Sequence, residues 1–487
     1  MGGLTAACLL ARKGNKVLIL ERNDYPGGYC SVFERGQYKF ESAIHAINGL
    51  GPKGRTRSIL EKCNIFHKLR LLEPDELLRL VFPNHDIVIP QKNIKALKDA
   101  LIKAFPSEGI GITRILDEAR RVFEESLKID EQPPHETTSV TWKYKDVTFK
   151  EFLDSHIQDE RLKAVFAQYW GYLGVPPEQM SAIYYLYMFW DYAANGAYYI
   201  EGGSETAAKL LAEEIKNCGG EILYKQEVLK FGLGDNSTFT HVVTKDGKEH
   251  HAHNFISNIS TKKLFLEMVD DHDIPDYFME KMRNWTQSAS AFVLYVGLKK
   301  SIQDLGIKEY EIFINADYDV SGHYRASLDN DMRNVQLGLT IYSNLDRTAC
   351  PANRSALSIF VLAGYDFWKN QNPEEYSVKK KELTKIILDR CDKLIPGFSD
   401  NIDHMDVATP LTLERYSGSY KGALYGWNQD IAHTGFRRQK AITPITNLFL
   451  AGAWTRPGGG FSSVVYSGSL AEDALNFKCS KGVKHGR

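Results

Sequence analysis

Hydrophobic positions at the start of the chain change from a helical to an extended spacing within about twenty residues. Small apolar side chains recur at the i, i+3, i+4 and i+7 positions of a predicted helix, at Leu4, Ala7, Cys8 and Ala11. Gly14 ends this helix, and residues 17–20 form the unbroken apolar run of a buried parallel strand. The pattern predicts a helix packed closely on a sheet, as in an α/β fold.

Two later regions of the chain have different patterns. Amphipathic helices predominate from about residue 71 to 198, and residues 203–258 return to a helix, a Gly-Gly turn, strands and an Asp-Gly hairpin. Long apolar strands follow at residues 291–297, 335–341 and 356–361. These strands predict a second, mostly antiparallel sheet.

A chain of 487 residues suits two interleaved domains. We predict a discontinuous Rossmann-like α/β domain for cofactor binding, formed by residues 1–70, 200–262 and 405–480. The predicted substrate-binding domain is α+β, with a mixed or antiparallel sheet and helices, and takes residues 71–199 and 263–404.

Glycines follow predicted strands near both ends of the chain. Glu21 closes the first predicted strand, and Gly27 and Gly28 come soon after it. In a dinucleotide-binding fold, a carboxylate at this place binds the adenosine ribose, and glycines let the backbone approach a pyrophosphate. The strand at 448–450 leads into a glycine turn at 452–460 and then a helix, which suits an anionic cofactor. Two such segments more than 400 residues apart predict one large flavin enzyme.

The first segment contains only the end of the usual G-x-G-x-x-G fingerprint. If Gly3 is the third glycine, its distance from Glu21 matches the usual spacing of roughly 20 residues. The first strand and two glycines of the domain would then precede Met1, so we expect the natural gene product to extend upstream. The alternative is an ordinary helix, turn and strand with a surface glutamate at position 21.

Separated motifs along the chain match one flavoprotein pattern in order. They are Glu21-Arg22 with Gly27-Gly28, FERGQYKFE at 33–41, YYIEGG at 198–203 with GGEILYKQEV at 219–228, and GAWTRPGGG at 452–460. Through these motifs the chain resembles the phytoene desaturase branch of the FAD-dependent amine oxidase superfamily, which includes carotenoid isomerases and retinol saturases. It departs from that pattern at Tyr29, where many relatives have arginine, and at Ala43, where glycine is common.

The resemblance implies bound FAD and a role for each matching residue. Gly3, Gly27 and Gly28 would line the pyrophosphate, and Glu21 would hold the ribose with Arg22 nearby. Val228 would flank the adenine. The ribityl chain and the isoalloxazine would face Gly452, Ala453, Phe461 and Val464. A helix N-terminus beside the ring would stabilise its reduced, negatively charged form by on the order of 1 kcal/mol.

The candidates for acid–base chemistry are His45, Arg456 and Tyr466. His45 lies where retinol saturase-like sequences have a similar histidine, and it would protonate or orient a substrate; a packed structural histidine is the alternative. Arg456 and Tyr466 lie near the flavin motif. The chain shows no Ser-His-Asp set and no cluster of metal-ligand residues, so we expect neither hydrolase chemistry nor a metal site.

An aromatic run between residues 184 and 199 indicates the substrate class. It is either a buried helix of the second domain or the wall of an apolar channel, and both descriptions can hold. With the family resemblance, it favours an oxidoreductase that desaturates, saturates or isomerises a long polyene or isoprenoid. The alternatives are an amine oxidase or protoporphyrinogen oxidase-like enzyme, and an inactive, N-terminally truncated flavoprotein.

Composition and net charge restrict the kinds of binding partner and the cellular compartment that we expect. A formal net charge of -1 argues against nucleic acid, and seven scattered cysteines without a C-x-x-C pair fit a reducing compartment. No run reaches the roughly 20 uninterrupted apolar residues of a membrane-spanning helix; the nearest, residues 182–200, is broken by Asp191 and Asn195. We therefore expect a cytoplasmic or peripherally membrane-associated protein. Its partners would be an apolar small molecule and quinone, oxygen or nicotinamide as redox partner.

Overall fold

The computed structural model describes residues 1–128, 139–234, 238–269 and 274–482. The strands of these residues are β1 (Leu18–Leu20), β2 (Val32–Arg35), β3 (Tyr38–Glu41), β4 (Leu71–Leu72), β5 (Glu76–Val81), β6 (Asp86–Pro90), β7 (Tyr199–Ile200), β8 (Glu221–Leu223), β9 (Val228–Gly234), β10 (Thr238–Thr244), β11 (Glu249–His251), β12 (Phe255–Ser257), β13 (Ser290–Leu298), β14 (Glu311–Ile314), β15 (Leu337–Thr340), β16 (Ser355–Ala363), β17 (Ile402–Ala408) and β18 (Leu448–Leu450).

Helices separate and cover these strands. They are α1 (Gly2–Arg12), α2 (Arg55–Lys62), α3 (Ile94–Ala104), α4 (Gly109–Leu127), α5 (Val140–Lys143), α6 (Phe149–Asp154), α7 (Glu160–Phe166), α8 (Trp170–Leu173), α9 (Ala182–Trp190), α10 (Glu205–Asn217), α11 (Thr261–Lys263), α12 (Asp276–Asn284), α13 (Val320–Asp329), α14 (Tyr365–Lys369), α15 (Pro373–Leu394), α16 (Pro410–Ser417) and α17 (Phe461–Gly482). The fold is α/β, as predicted.

Two pairs of parallel strands form the frame of the predicted cofactor domain. β1 pairs with β8, and β12 pairs with β18; among the described residues these are separate two-stranded sheets. The parallel pairing of the first strand agrees with its apolar pattern, but its predicted burial is wrong, because Leu18 is 43% exposed. Besides its one partner strand among the described residues, β8, the strand borders a large cavity. The additional strand before Met1 stays a prediction.

Helix α1 packs closely against the strand frame and α17 because several of its buried residues are small. Ala6 is fully buried against Ala451 and Ala471. On α17, a Cβ at Gly468 would lie only 2.7 Å from the Cβ of Thr5, so glycine is required for the two helices to approach this closely. The first and last helices of the chain therefore pack directly against each other.

The second sheet has seven strands in the order β17-β13-β16-β15-β14-β5-β6. Each neighbouring pair is antiparallel except β14 and β5, which confirms the predicted, mostly antiparallel sheet. All nine residues of β13 are buried. Phe292 on one face packs with Trp368 and Ile387, and Tyr295 on the other packs with Phe40. The second face thus borders the cofactor frame.

Helices α3 to α9 form a third layer with an aromatic core. Phe149 and Tyr185 are fully buried and their rings stack at 3.9 Å between centroids. At its end α9 continues as a turn of π-helix, Asp191–Asn195, a feature often found at functional sites. None of the helices in the described part of the chain has the length and apolar character needed to cross a membrane. The exact domain boundaries stay predictions.

Candidate cofactor and substrate site

One cavity of about 1520 Å³ lies between the cofactor frame, the aromatic helices and the seven-stranded sheet. It exceeds the roughly 300–1,000 Å³ of a typical small-molecule site, so it has room for more than one ligand. Each residue predicted for cofactor binding or catalysis lines it: Gly3, Glu21, Arg22, Gly27, Gly28, His45, Val228, Gly452, Ala453, Arg456, Phe461, Val464 and Tyr466. The fold brings these residues together, and their individual roles stay predictions.

The floor of the cavity is a contact between three distant segments. The Gly3 backbone N–H at the start of α1 donates to Asn258 Oδ1 at 2.9 Å. Gly452, with φ of +93°, lies so close that a Cβ on it would be 2.5 Å from the same oxygen. A Cβ on Gly2 would be 2.6 Å from the Gly452 nitrogen. Only glycines allow this approach, which leaves backbone and a helix N-terminus at the cavity surface.

Glu21 and its neighbours form the end of the cavity beside β1. The Asn23 backbone N–H donates to Glu21 Oε1 at 2.9 Å, and burial raises the pKa of the carboxyl. The guanidinium of Arg22 donates to the Arg415 carbonyl at 3.0 Å, which ties this end to α16. Val228 begins β9 on the same side. Glu21, Arg22 and Val228 thus lie at one end of the cavity, and their roles toward the ribose and the adenine stay predictions.

The turn after β1 lines the cavity with glycine backbone, and a tyrosine directly after it is hydrogen-bonded to a distant loop. Gly27 and Gly28 have φ of +109° and +64°, values that favour glycine. The Tyr29 hydroxyl donates to the Gly422 carbonyl at 3.2 Å. Tyr29 therefore takes a structural position here, where many members of the resembled branch have arginine.

The loop that follows β18 is held by a buried cation that the sequence interpretation missed. Arg438 is 1% exposed, and its guanidinium donates to six backbone carbonyls. These are the carbonyls of Tyr425, Trp427, Asn428, His433, Ala453 and Thr455. Burial lowers its pKa to about 10, so it stays charged at neutral pH. Ala453 is itself a cavity residue, so Arg438 fixes the backbone of the predicted flavin loop.

The candidate catalytic residues differ in their surroundings. His45 Nδ1 lies 2.7 Å from Thr340 Oγ1, and its Nε2 is shielded from solvent and has no hydrogen-bond partner among the residues that the structure describes. Burial lowers the His45 pKa to about 4, so the imidazole is neutral at pH 7. The guanidinium of Arg456 lies over the Phe436 ring at 5.0 Å, and that of Arg55 lies over the Tyr466 ring at 4.3 Å.

The aromatic run serves as both core and cavity wall. Tyr185 and Phe189 of α9 are buried in the helical core. On the other side of the same segment, Tyr184, Tyr187 and Tyr192 line the cavity. Tyr192 also belongs to the helical core, so the segment is both core and cavity wall; that the wall belongs to a substrate channel stays a prediction.

Comparison with known proteins identifies the family. The sequence pattern of flavin containing amine oxidoreductases matches residues 1–475, nearly the whole chain. The chain belongs to this family. It is accordingly an FAD-dependent oxidoreductase.

The names of similar proteins refer to different polyene molecules. This flavin oxidoreductase is 26% identical to the chloroplastic prolycopene isomerase of Arabidopsis thaliana, over 96% of its own length and 80% of the relative's. It is 25% identical to the all-trans-retinol 13,14-reductase of Danio rerio, with coverages of 93% and 81%. It is also 25% identical to a 1-hydroxycarotenoid 3,4-desaturase from Flavobacterium sp., with coverages of 98% and 97%.

Solved structures share the fold of this flavin oxidoreductase. An oxidoreductase from Methanosarcina mazei superimposes with a TM-score of 0.66 at 14% identity, covering 98% of both chains. Putrescine oxidase bound to putrescine gives a TM-score of 0.67 at 13% identity, covering 98% of this chain and 97% of that one. At such identities the likeness concerns the fold.

The cavity of this flavin oxidoreductase fits FAD. Gly2 and Gly3 at the start of α1 pack against Gly452 and Asn258 too closely for any Cβ on Gly2, and their backbone lines the cavity as a glycine cradle. The cradle lies at the N-terminus of α1, which suits a diphosphate. Glu21 at the end of β1 suits the ribose hydroxyls. The loop at Gly452 and Ala453 and the start of α17 at Phe461 suit the flavin ring.

Replacing Glu21 with glutamine should weaken FAD binding by about 10- to 100-fold, because a hydrogen bond to a charged carboxylate contributes about 1.5–3 kcal/mol. The measurement is a titration of apoprotein with FAD, followed by flavin fluorescence. Glu34→Gln, at an exposed position of β2, should leave the affinity unchanged. Equal affinity of the Glu21 variant and the wild type would show that this carboxylate does not hold the cofactor.

Proposed function

We propose that this enzyme uses FAD to desaturate, saturate or isomerise a long apolar polyene or isoprenoid. The observation that carries the proposal is the continuity of the cavity: from the glycine cradle it extends along a wall of Tyr184, Tyr187, Met188 and Tyr192. Aromatic side chains bury much area with few rotamers to fix, which suits a long conjugated ligand. The named relatives, a prolycopene isomerase and a hydroxycarotenoid desaturase, support this class of substrate.

FAD, when bound, would supply the exchange of a hydride with a substrate carbon. The residues of the chain would bind the cofactor and orient the substrate. Glu21 and the cradle would hold the cofactor, and Arg438 would keep the loop at Gly452 in place. The aromatic wall would orient the polyene and exclude water. His45, held by Thr340, would orient the substrate as a neutral group.

We also propose peripheral membrane contact and oxidation or reduction of the flavin by quinone, oxygen or nicotinamide. A water-insoluble polyene partitions into lipid, so an enzyme acting on it gains from resting on a bilayer. Co-sedimentation with liposomes tests the first proposal. Recovery of protein only in the supernatant would argue against it.

The test of function uses the full chain loaded with FAD. The purified protein should be yellow and should convert at least one of phytoene, a lycopene isomer or retinol, with products identified by chromatography and mass spectrometry. Simple amines such as putrescine serve as the comparison substrates. Oxidation of amines alone would replace the polyene proposal with amine oxidation, and a colourless protein that takes up no FAD would favour a fold without redox activity.

A further inference from the structure

We propose that Tyr172 and Glu311 form the proton-transfer pair of the substrate cavity, with Tyr172 touching the substrate and Glu311 holding the proton behind it. The inference rests on the proposed function and names residues for a step that it requires. Each of the three proposed reactions adds a proton to a polyene carbon, removes one, or does both.

The pair connects the cavity to the interior of the seven-stranded sheet. Tyr172, on the short helix α8, lines the cavity. Its hydroxyl is in direct hydrogen-bond contact with Oε1 of Glu311, the first residue of β14. Glu311 is only 2% exposed. A carboxyl so deeply buried beside a ligand cavity is costly unless it is neutral or paired, and its named partner is a tyrosine.

The groups around Glu311 do not favour loss of the proton from its carboxyl. The hydroxyl groups that interact with its charge belong to Tyr169, Tyr172, Tyr192, Tyr310 and Tyr342. Directly across the strand pair lies Thr340, which binds the neutral His45. Burial raises the pKa of Glu311 to about 8, so the carboxyl is mostly protonated at pH 7.

Two other polar groups of the cavity are less suited to this step. Burial lowers the pKa of His45 to about 4, so it carries no exchangeable positive charge at neutral pH. The two carboxyl oxygens of Asp191 each accept a hydrogen bond, one from Asn48 and one from Asn195, both at 2.8 Å. Burial raises the pKa of this carboxyl, but both of its oxygens are already engaged by amide donors. Tyr172 combines contact with the cavity and a protonated carboxyl behind it.

The step balances without a further reactant. In the structure the Tyr172 O–H donates to Oε1 of Glu311. Because a hydroxyl can both donate and accept, the bond can reverse when the carboxyl is protonated: the carboxyl O–H then donates to the tyrosine oxygen, and the tyrosine O–H turns to the substrate. When that O–H bond breaks and a C–H bond forms on the polyene, the carboxyl proton moves to the tyrosine oxygen and leaves a carboxylate. The reverse sequence removes a proton from the substrate. The electron pair of the hydride is exchanged with FAD, which the proposed function supplies.

The experiment compares Glu311→Gln and Tyr172→Phe with the wild type, all loaded with FAD, in turnover of the polyene in D₂O. In the wild type we expect one ionisation near pH 8 in the pH–rate profile. The product should carry deuterium where the reaction adds a proton to the polyene; where it only removes one, the proton is lost to solvent and the product stays unlabelled. Activity should fall above that pH if a proton is donated and rise if one is removed. Both variants should lose about 10²–10⁴-fold in rate, and Glu311→Gln should lose the ionisation. Tyr169→Phe is the matched control, because within the described part of the chain the buried Tyr169 hydroxyl has no hydrogen-bond partner and Tyr169 does not line the cavity. It should stay within about twofold of wild type.

A second measurement does not depend on turnover. A carboxyl whose pKa is raised on folding favours the folded state below its unfolded value of 4.5, and this stabilisation is lost as pH rises through about 8. The decline of the unfolding temperature over this range should therefore be shallower in Glu311→Gln than in the wild type. Identical declines would overturn the pair, as would variants with wild-type rates and deuterium content. A wild type that folds with FAD but converts no polyene would overturn the proposed function, while the unfolding series still decides whether Glu311 holds a proton.

Discussion

Gly452→Val should abolish FAD binding and lower the free energy of unfolding by about 2–5 kcal/mol. Two costs add: a side chain at a φ of +93° costs about 1–2 kcal/mol, and overpacking costs about 1–3 kcal/mol. The overpacking arises because a Cβ would lie 2.5 Å from Asn258 Oδ1, the acceptor that fixes Gly3 at the start of α1. Displacing that contact removes the predicted diphosphate cradle. Flavin absorbance per protein and urea unfolding measure the two effects.

Gly14→Val separates backbone strain from the loss of the cradle. Gly14 has a similar φ of +83°, but no atom lies within 4 Å of a Cβ placed on it, and it does not line the cavity. This control should lose only the strain, about 1–2 kcal/mol, and should purify with its flavin. Equal flavin content in the two variants would contradict the assigned role of the Gly3–Asn258–Gly452 contact.

Arg438→Met should lower the free energy of unfolding by about 3–5 kcal/mol, comparable to breaking a buried ion pair. Methionine fills much of the space but leaves six backbone carbonyls without their donor, and unsatisfied buried groups cost about 1–3 kcal/mol each when they cannot reach water. Because one of these carbonyls belongs to Ala453, the loop should also hold flavin more weakly. Chemical denaturation and FAD titration report the two losses.

The neighbouring arginine is the matched control. Arg437 is largely exposed and pairs with Asp146 at the surface, so Arg437→Met should cost less than about 1 kcal/mol. Arg438→Lys should fall between the two, because it keeps the charge but cannot reach all six carbonyls. If Arg437→Met and Arg438→Met had the same unfolding midpoint, the buried cation would not hold this loop.

Much of the cofactor end of the cavity could be predicted, because its signals are local. Gly3, Glu21 and Gly452 lie at junctions of strand, turn and helix, where glycine or a carboxylate has a specific reason to occur. The burial of Leu18 was predicted wrongly, because an apolar run gives no information on whether a partner strand lies on each side. Local pattern indicates the type of element but not its neighbours.

The buried positions of Arg438 and Glu311 could not be predicted from the sequence, and the reason differs from that for Leu18. The carbonyls around Arg438 come from residues 425–455, and no spacing of residue types marks a site built from backbone oxygens. Glu311 begins an apolar strand, where an acidic residue is usually solvated. It is buried here because Tyr172, more than 130 residues earlier, packs over it. Such sites depend on tertiary contacts alone.

The joining of Gly3, Asn258 and Gly452 also bears on biosynthesis. Because synthesis runs from the N-terminus to the C-terminus, Gly3 leaves the ribosome first, Asn258 follows 255 residues later, and the cradle cannot close until Gly452 has also emerged. Flavin therefore binds only after the segment that carries Gly452 has been made, and until then the new chain lacks the stabilisation that a bound ligand gives. The supply of flavin should consequently limit how much of this protein accumulates in a cell.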